Sequence, residues 1–194
     1  MWYKPMTDLR QAIPLPTAAL RLRIATPADY PALEALMRAS IRELIGAHLD
    51  PERTAASFEI MGVDSQLIAD GTYFAVEDEG QVVGCGGWSR RATLFGGDHS
   101  AGRDARLLDP HHEAARVRAM YTHPSHTRRG IGRMVLNACE AAARTAGFRS
   151  VELVATVAGE PLYGACGYVL DERIEVPTSR GVTVPCARMH KLLQ

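Results

Sequence analysis

A basic segment that contains two glycines, near the middle of the chain, carries the residues best suited to chemistry. The segment 123–133 reads HPSHTRRGIGR; it follows an apolar stretch, 117–122, and precedes a long helical pattern. Where a strand passes through glycines into a helix, the backbone can approach a ligand closely. The first N–H groups of the helix then point outward, unpaired, at the positive end of its dipole. Such an arrangement binds anions, phosphate above all.

The arginines of this segment indicate what kind of anion to expect. Arg128 and Arg129 are adjacent, and Arg133 follows the second glycine. Because guanidinium groups hold phosphate oxygens through paired hydrogen bonds, three of them predict a ligand with more than one phosphate. Without such a ligand the same residues would be a helix start beside a solvated arginine pair, since glycine is common at helix ends and arginine at surfaces.

Two segments of the chain, TRRGIG at 127–132 and PLYGACGY at 161–168, resemble motifs of the GNAT superfamily of N-acetyltransferases. The run 127–132, TRRGIG, is similar to that family's pyrophosphate loop, Gln/Arg-x-x-Gly-x-Gly/Ala, although Thr127 stands where the family prefers Gln or Arg. The run 161–168, PLYGACGY, is similar to a later family segment, in which a tyrosine on a short helix precedes a Gly-aromatic pair. The two runs occur in the family's order, about 30 residues apart. Together they are more specific than either alone.

The resemblance implies an acetyl-CoA-dependent N-acetyltransferase that moves an acetyl group to a primary amine by direct attack. It implies that the backbone of Met120, Tyr121 and Thr122 meets the pantetheine arm and the acetyl carbonyl. A backbone N–H at that carbonyl oxygen would stabilise the oxyanion by about 3 kcal/mol. The residues whose amides would hold the pyrophosphate are Arg128, Arg129, Gly130, Ile131, Gly132 and Arg133.

Direct transfer also needs groups that move protons. The leaving thiolate needs an acid, and Tyr163 matches the position at which the family usually has one. The attacking amine needs a base, but Arg116 occupies the position of the glutamate that many family members use. The alternatives near that strand share only a titratable side chain: His112, Glu113 and Glu152. We take Glu113 as the candidate base.

Two other classes of protein remain open at this point. A non-catalytic acyl-CoA-binding or sensing module would keep the loop but lack a working base. A nucleotide-dependent oxidoreductase would need Gly-x-Gly-x-x-Gly directly after a strand. Here Val135 replaces the third glycine and seven residues separate the strand from Gly130, although Glu152 lies where a ribose-binding acid could stand.

The composition is that of an ordinary globular protein. The 194 residues are 46% hydrophobic and 23% charged, which allows one substantial core. Lys+Arg and Asp+Glu number 22 each, which argues against a nucleic-acid binder that relies on a strong field. No apolar run approaches the roughly 18 residues of a membrane-spanning helix and we see no signal peptide, so we expect a cytoplasmic protein with no membrane partner.

Cysteines and histidines do not show the spacing of a metal site. Four cysteines lack C-x-x-C spacing and lie among apolar residues: Cys85, Cys139, Cys166 and Cys186. We expect small buried residues in a reducing compartment. His123 and His126 lie in a turn and have no third ligand at motif spacing, so we expect no metal.

The elements around these motifs predict an α/β protein with the GNAT-type fold, a mixed central sheet of about seven strands flanked by helices. We expect strands at 20–25, 72–77, 81–88, 117–122, 150–155, 168–176 and 182–191, and helices at 27–41, 51–61, 131–146 and 160–165.

Other parts of the chain carry weaker expectations. Residues 1–19 predict an N-terminal arm before a single domain, 20–194, and 90–112 predicts a long functional or mobile loop. Trp88, beside that loop, belongs either to the core or to an acceptor pocket. The acceptor is left open as a small-molecule or peptide amine. The arm and the terminal strands offer surfaces on which two copies could form a homodimer.

Overall fold

The computed structural model describes residues 19–179 and 181–194. Within these residues the chain forms a seven-stranded sheet with the spatial order β1-β2-β3-β4-β5-β7-β6. The strands are β1 (Arg21–Ile24), β2 (Tyr73–Asp78), β3 (Gln81–Ser89), β4 (Ala115–Thr122), β5 (Ser150–Thr156), β6 (Val169–Pro177) and β7 (Thr183–Leu192). β4 and β5 are parallel, and the other neighbouring pairs are antiparallel. This confirms the predicted mixed sheet.

Helices cover both faces of the sheet. They are α1 (Tyr30–Ser40), α2 (Pro51–Ile60), α3 (Ser65–Ala69), α4 (Ile131–Thr145) and α5 (Glu160–Ala165). A π-helical turn, Ile41–Ile45, continues α1. Ala75 and Val76 are consecutive in β2 but belong to different core clusters, one beneath α1 and the other beneath α4. The short helix α3 was not predicted from the sequence.

Helix α4 is positioned by its apolar face and by a close approach to the sheet. Its buried apolar residues recur at helical spacing from Ile131 to Ala143. A Cβ at Gly84 of β3 would lie 2.2 Å from Cγ2 of Ile131. Because Gly84 has no side chain, the first residue of α4 can rest directly on β3. The helix N-terminus is therefore fixed beside the end of β4.

Strand β4 bends at a bulge, and this bend opens the sheet. Ala119 and Met120 together stand opposite the single residue Gly86 of β3. Ala119 has a φ of 52°, a left-handed conformation that costs a residue with a Cβ about 1 kcal/mol. β4 pairs with β5 only at residues 115 and 116, opposite 151 and 152. Beyond residue 116 the two strands separate.

The irregular segment 90–112 is anchored to the helices on the α1 side of the sheet. Arg91 forms an ion pair with Asp70 at the end of α3, with 2.8 Å between Nε and Oδ2. Arg103 forms a second, with 2.8 Å between Nη2 and Oδ1 of Asp64. The predicted loop is therefore held in place by charged contacts at two points.

Several weaker expectations can be placed in the fold. Trp88 is buried in the core, edge-on to Phe148 with 6.1 Å between ring centroids, so it does not line an acceptor pocket. Three of the four free cysteines are buried, and Cys166 is half-buried. None of the described helices is both long enough and apolar enough to span a membrane. The proposed arm lies almost wholly outside the described residues, so the division into an arm and a single domain stays a prediction.

Candidate active site

A cavity of about 700 Å³ lies where β4 and β5 separate. One part, here called the loop half, is lined by residues from 120–122, 126–133 and 156–165. The other part, here called the α1 half, is lined by residues from 40–48, 60–61 and 94–96. Arg118 and Ala119 of β4 also line the cavity. The cavity therefore connects the predicted anion loop with helix α1 through the opening in the sheet.

The loop half contains a row of unpaired backbone N–H groups. Arg128 and Gly130 both adopt left-handed conformations, with φ values of 63° and 81°. The first backbone hydrogen bond of α4 runs from Met134 N to Gly130 O, 2.9 Å. Within the described residues, the N–H groups of 128–133 have no acceptor. Such a turn at a helix N-terminus is a concave site for an anion.

Only two of the three arginines in this loop face the cavity. Arg128 and Arg133 line it, whereas Arg129 does not. The guanidinium of Arg129 binds the Asp78 carboxylate, 2.6 Å from Nη1 to Oδ2, and this hydrogen bond lowers the pKa of Asp78. The expectation that three guanidinium groups hold phosphate is corrected accordingly. Arg129 can contribute only its backbone N–H.

The two histidines of the loop bind neighbouring side chains. His126 Nε2 lies 3.3 Å from Oδ2 of Asp78, the same carboxylate that Arg129 binds. His123 and His126 each place Nδ1 2.8 Å from Oγ of Ser125. In the described part of the chain, no three His, Cys, Asp or Glu side chains are arranged to hold a metal ion. These contacts brace the turn between β4 and α4.

The end of β4 brings the predicted residues Met120, Tyr121 and Thr122 to the cavity wall. The bulge before them is held from inside the protein, because the hydroxyl of Tyr73 donates to Ala119 O at 3.0 Å. The hydroxyl of Tyr121 donates to Gly62 O at 3.2 Å. The edge of β4 that faces β5 has no strand partner here. Its backbone groups can therefore meet an extended ligand.

Tyr163 lies on the other side of the opening, on α5. A Cβ at Gly132 would lie 2.6 Å from Cδ2 of Leu162, so α5 sits directly against the first turn of α4. Tyr163 lines the cavity, and its ring packs edge-on against Tyr168 with 5.8 Å between centroids. Its hydroxyl has no hydrogen-bond partner among the described residues. Burial raises the pKa of Tyr163, so the hydroxyl stays protonated.

Comparison with known proteins identifies the family. The sequence model of the acetyltransferase (GNAT) family matches residues 33–168, more than half of the chain. The chain belongs to the GNAT family of acetyltransferases. This match confirms both the resemblance seen in the two motifs and the class of enzyme. No curated protein sequence matches the chain.

Solved structures show the same fold at low sequence identity. A GCN5-related N-acetyltransferase from Rhodopseudomonas palustris has a TM-score of 0.66 and 20% identity, covering 92% of this chain and 99% of that one. YncA, a putative acetyltransferase from Salmonella typhimurium solved with acetyl-CoA, has a TM-score of 0.60 and 18% identity, covering 91% of this chain and 95% of that one. The ribosomal-protein-S18-alanine N-acetyltransferase of Escherichia coli has a TM-score of 0.55 and 15% identity, also covering 91% of this chain and 95% of that one. These likenesses confirm the GNAT fold.

The base candidates drawn from the sequence do not reach the GNAT cavity. Glu113 lies two residues before the start of β4, at the opposite end of the strand from Tyr121, and does not line the cavity. Both its oxygens bind Arg106, at 2.8 and 2.9 Å, and this pairing lowers the pKa of Glu113 to about 2. Glu113 therefore lacks both the position and the basicity that a base needs.

The other two candidate bases, Glu152 and His112, do not line the cavity either. Glu152 is buried in β5 and forms ion pairs with Arg116 and Arg188. His112 is exposed beside Asp109, outside the cavity. Arg116, which stands at the family's usual glutamate position, is thus half of an ion pair that joins β4 to β5.

Two titratable residues of the cavity were missed by sequence reasoning. Glu43, in the π-helical turn, and His48, just after it, both line the α1 half. Neither side chain has a hydrogen bond or ion pair among the described residues. No motif surrounds them, and they lie more than 70 residues before the loop. Only the folded chain places them at the cavity.

Proposed function

We propose that the protein transfers an acetyl group from acetyl-CoA to a primary amine by direct attack. One observation carries this proposal: the loop that bears the unpaired N–H groups, the end of β4 that bears the unpaired edge, and Tyr163 all line one cavity. A pyrophosphate, an extended amide-bearing arm and a thioester need these three features in this order. The family match supports the reaction class.

The loop half suits the donor. The amides of 128–133 would hold the pyrophosphate, with the side chains of Arg128 and Arg133 beside it. A Cβ at Gly130 would meet no atom within 4 Å, which leaves room for a phosphate against the backbone. The backbone of Met120, Tyr121 and Thr122 would hold the pantetheine arm by strand-like hydrogen bonds.

Two groups of the chain would act on the reacting thioester. A backbone N–H of the β4 edge would donate to the acetyl oxygen as it becomes negative, a contribution of about 3 kcal/mol. Tyr163 would protonate the thiolate as the C–S bond breaks. Burial raises the pKa of Tyr163, which favours the protonated form that can donate. The amine would lose its proton to water or to a cavity side chain.

The finer features of the protein stay proposals. The acceptor is a small-molecule or peptide amine that enters from the α1 half. A homodimer and a cytoplasmic location stay predictions from the sequence. A non-catalytic acyl-CoA sensor is the second candidate, and it is favoured by the placement of Glu113 outside the cavity, because that leaves the acid Tyr163 without a matching predicted base.

Thermal unfolding with acetyl-CoA, with CoA and with NADPH tests the donor site. A ligand at 100 times its Kd adds about 2.7 kcal/mol, which raises the midpoint by a few degrees. We expect both CoA species to raise it and NADPH to leave it unchanged. Thiol release from acetyl-CoA in the presence of a mixture of amines then tests transfer. Binding without release on any amine would replace the transferase by the sensor, and no binding would exclude both.

A further inference from the structure

The α1 half of the cavity is apolar apart from a few side chains. Its apolar lining includes Leu44, Met61, Leu94 and Phe95. Phe95 is 37% exposed, although it lies in a segment that is anchored by ion pairs. A large, partly exposed aromatic ring beside a cavity offers area to a ligand rather than to the core.

The wall that bears Phe95 is rigidly held. Nη2 of Arg118 donates to Gly96 O at 2.9 Å, and Nη1 of Arg103 donates to Gly97 O at 2.8 Å. His99 Nε2 lies 2.8 Å from Phe58 O on α2. The two residues that follow Phe95 are therefore tied to β4 and to the rest of the segment. The ring is presented to the cavity by fixed backbone.

One carboxylate on the wall of the α1 half has no partner among the described residues. This is the exposed side chain of Glu43. The guanidinium of Arg118, which also lines the cavity, binds Asp64 with 2.6 Å between Nη2 and Oδ2, and Arg103 binds the same carboxylate. His48 is the other titratable side chain of this half. An unpaired carboxylate beside an apolar wall attracts a cation that carries an apolar group.

We infer that the acceptor is a small primary amine with an aromatic or aliphatic body, which lies against Leu94 and Phe95 while Glu43 attracts and orients its ammonium group. This inference rests on the proposed function and names its substrate class. Glu43 acts on the substrate before chemistry, and the amine releases its proton to water before it attacks. Polar amines and hydrophilic peptide N-termini would lack the apolar contact.

The experiment compares kcat/KM for phenethylamine, ethanolamine, spermidine and a hydrophilic peptide with a free N-terminus, at saturating acetyl-CoA. We expect the parent protein to prefer phenethylamine at least tenfold, because one missing apolar group costs a site about that factor. Phe95→Ala should remove most of this preference. The matched control is Leu107→Ala, which deletes an exposed apolar side chain of the same segment, outside the cavity.

The role of the Glu43 carboxylate is tested by a variant and a matched control. Glu43→Gln should raise the KM for phenethylamine about tenfold and leave the Kd of acetyl-CoA unchanged. Glu52→Gln makes the same change of net charge on an exposed residue of α2 outside the cavity, and should have no effect. The inference is overturned if a polar amine or the peptide is acetylated as well as phenethylamine, or if each variant matches its control. Acetyl-CoA binding without acetylation of any amine would instead overturn the proposed function, and the inference with it.

Discussion

Replacement of Gly130 by asparagine and, in parallel, by aspartate isolates the charge of the bound ligand. The two side chains have the same shape, and both tolerate the left-handed conformation found at Gly130, φ 81°. A Cβ there meets no atom within 4 Å, so neither side chain clashes. We expect each variant to lose less than about 1 kcal/mol of unfolding free energy. Any difference in ligand binding then reflects charge.

The expected difference follows from the position of Gly130 at the start of α4. A carboxylate 4–6 Å from one phosphate charge costs about 3–4 kcal/mol at an effective dielectric constant of about 20. The Kd of acetyl-CoA should therefore be about 100- to 1,000-fold higher for Gly130→Asp than for Gly130→Asn. Isothermal titration calorimetry at about 0.05 and about 1 M NaCl measures this, and screening should shrink the gap at high salt. Equal Kd values for the two variants would show that no phosphate lies at Gly130.

Three further predictions concern residues described above. Tyr163→Phe should lower kcat about 100-fold or more without changing the Kd of acetyl-CoA; unchanged kcat in a thiol-release assay would remove its role as the acid. The pKa of Glu113 is lowered from 4.5 to about 2 by Arg106, so its stabilising effect is complete above about pH 4.5 and is lost as the pH falls towards about 2. Acid unfolding of Glu113→Gln should therefore depend less on pH in that window, and identical curves would contradict the ion pair. Asp64→Asn leaves the buried guanidinium of Arg118 without its carboxylate, and urea unfolding should show a loss of about 3 kcal/mol or more; a loss below about 1 kcal/mol would refute that assignment.

The elements with a strong local signal could be predicted from the sequence. Helix α4 was expected at 131–146 and is found at Ile131–Thr145, because a regular apolar face and Gly147 define it locally. The five-residue helix α3 escaped prediction, since one turn contains too few residues to show a period. The bulge at Ala119 escaped too, because alanine gives no sign of a positive φ.

The candidate site was predictable only where it consists of consecutive residues. The loop 128–133 and the segment around Tyr163 each form part of the wall from a single stretch of chain. The partner of Arg129 is 51 residues away, so its removal from the ligand set depends on tertiary structure. Glu43 likewise becomes a cavity residue only when α1 packs across the sheet. By contrast, the titratable residues that precede β4 in the sequence, His112 and Glu113, do not line the cavity.

The separation of β4 from β5 has a mechanical consequence. Only two residue pairs, 115 with 151 and 116 with 152, join these strands as a ladder. The sheet therefore consists of two leaves, β1–β4 and β5–β7, with a short spine at one end. An extended ligand that forms hydrogen bonds with both free edges would connect the leaves where the strands do not pair with each other. Such a ligand should slow amide hydrogen exchange in β4 and β5 next to the gap. The bound donor would then help to hold the two leaves of the sheet together.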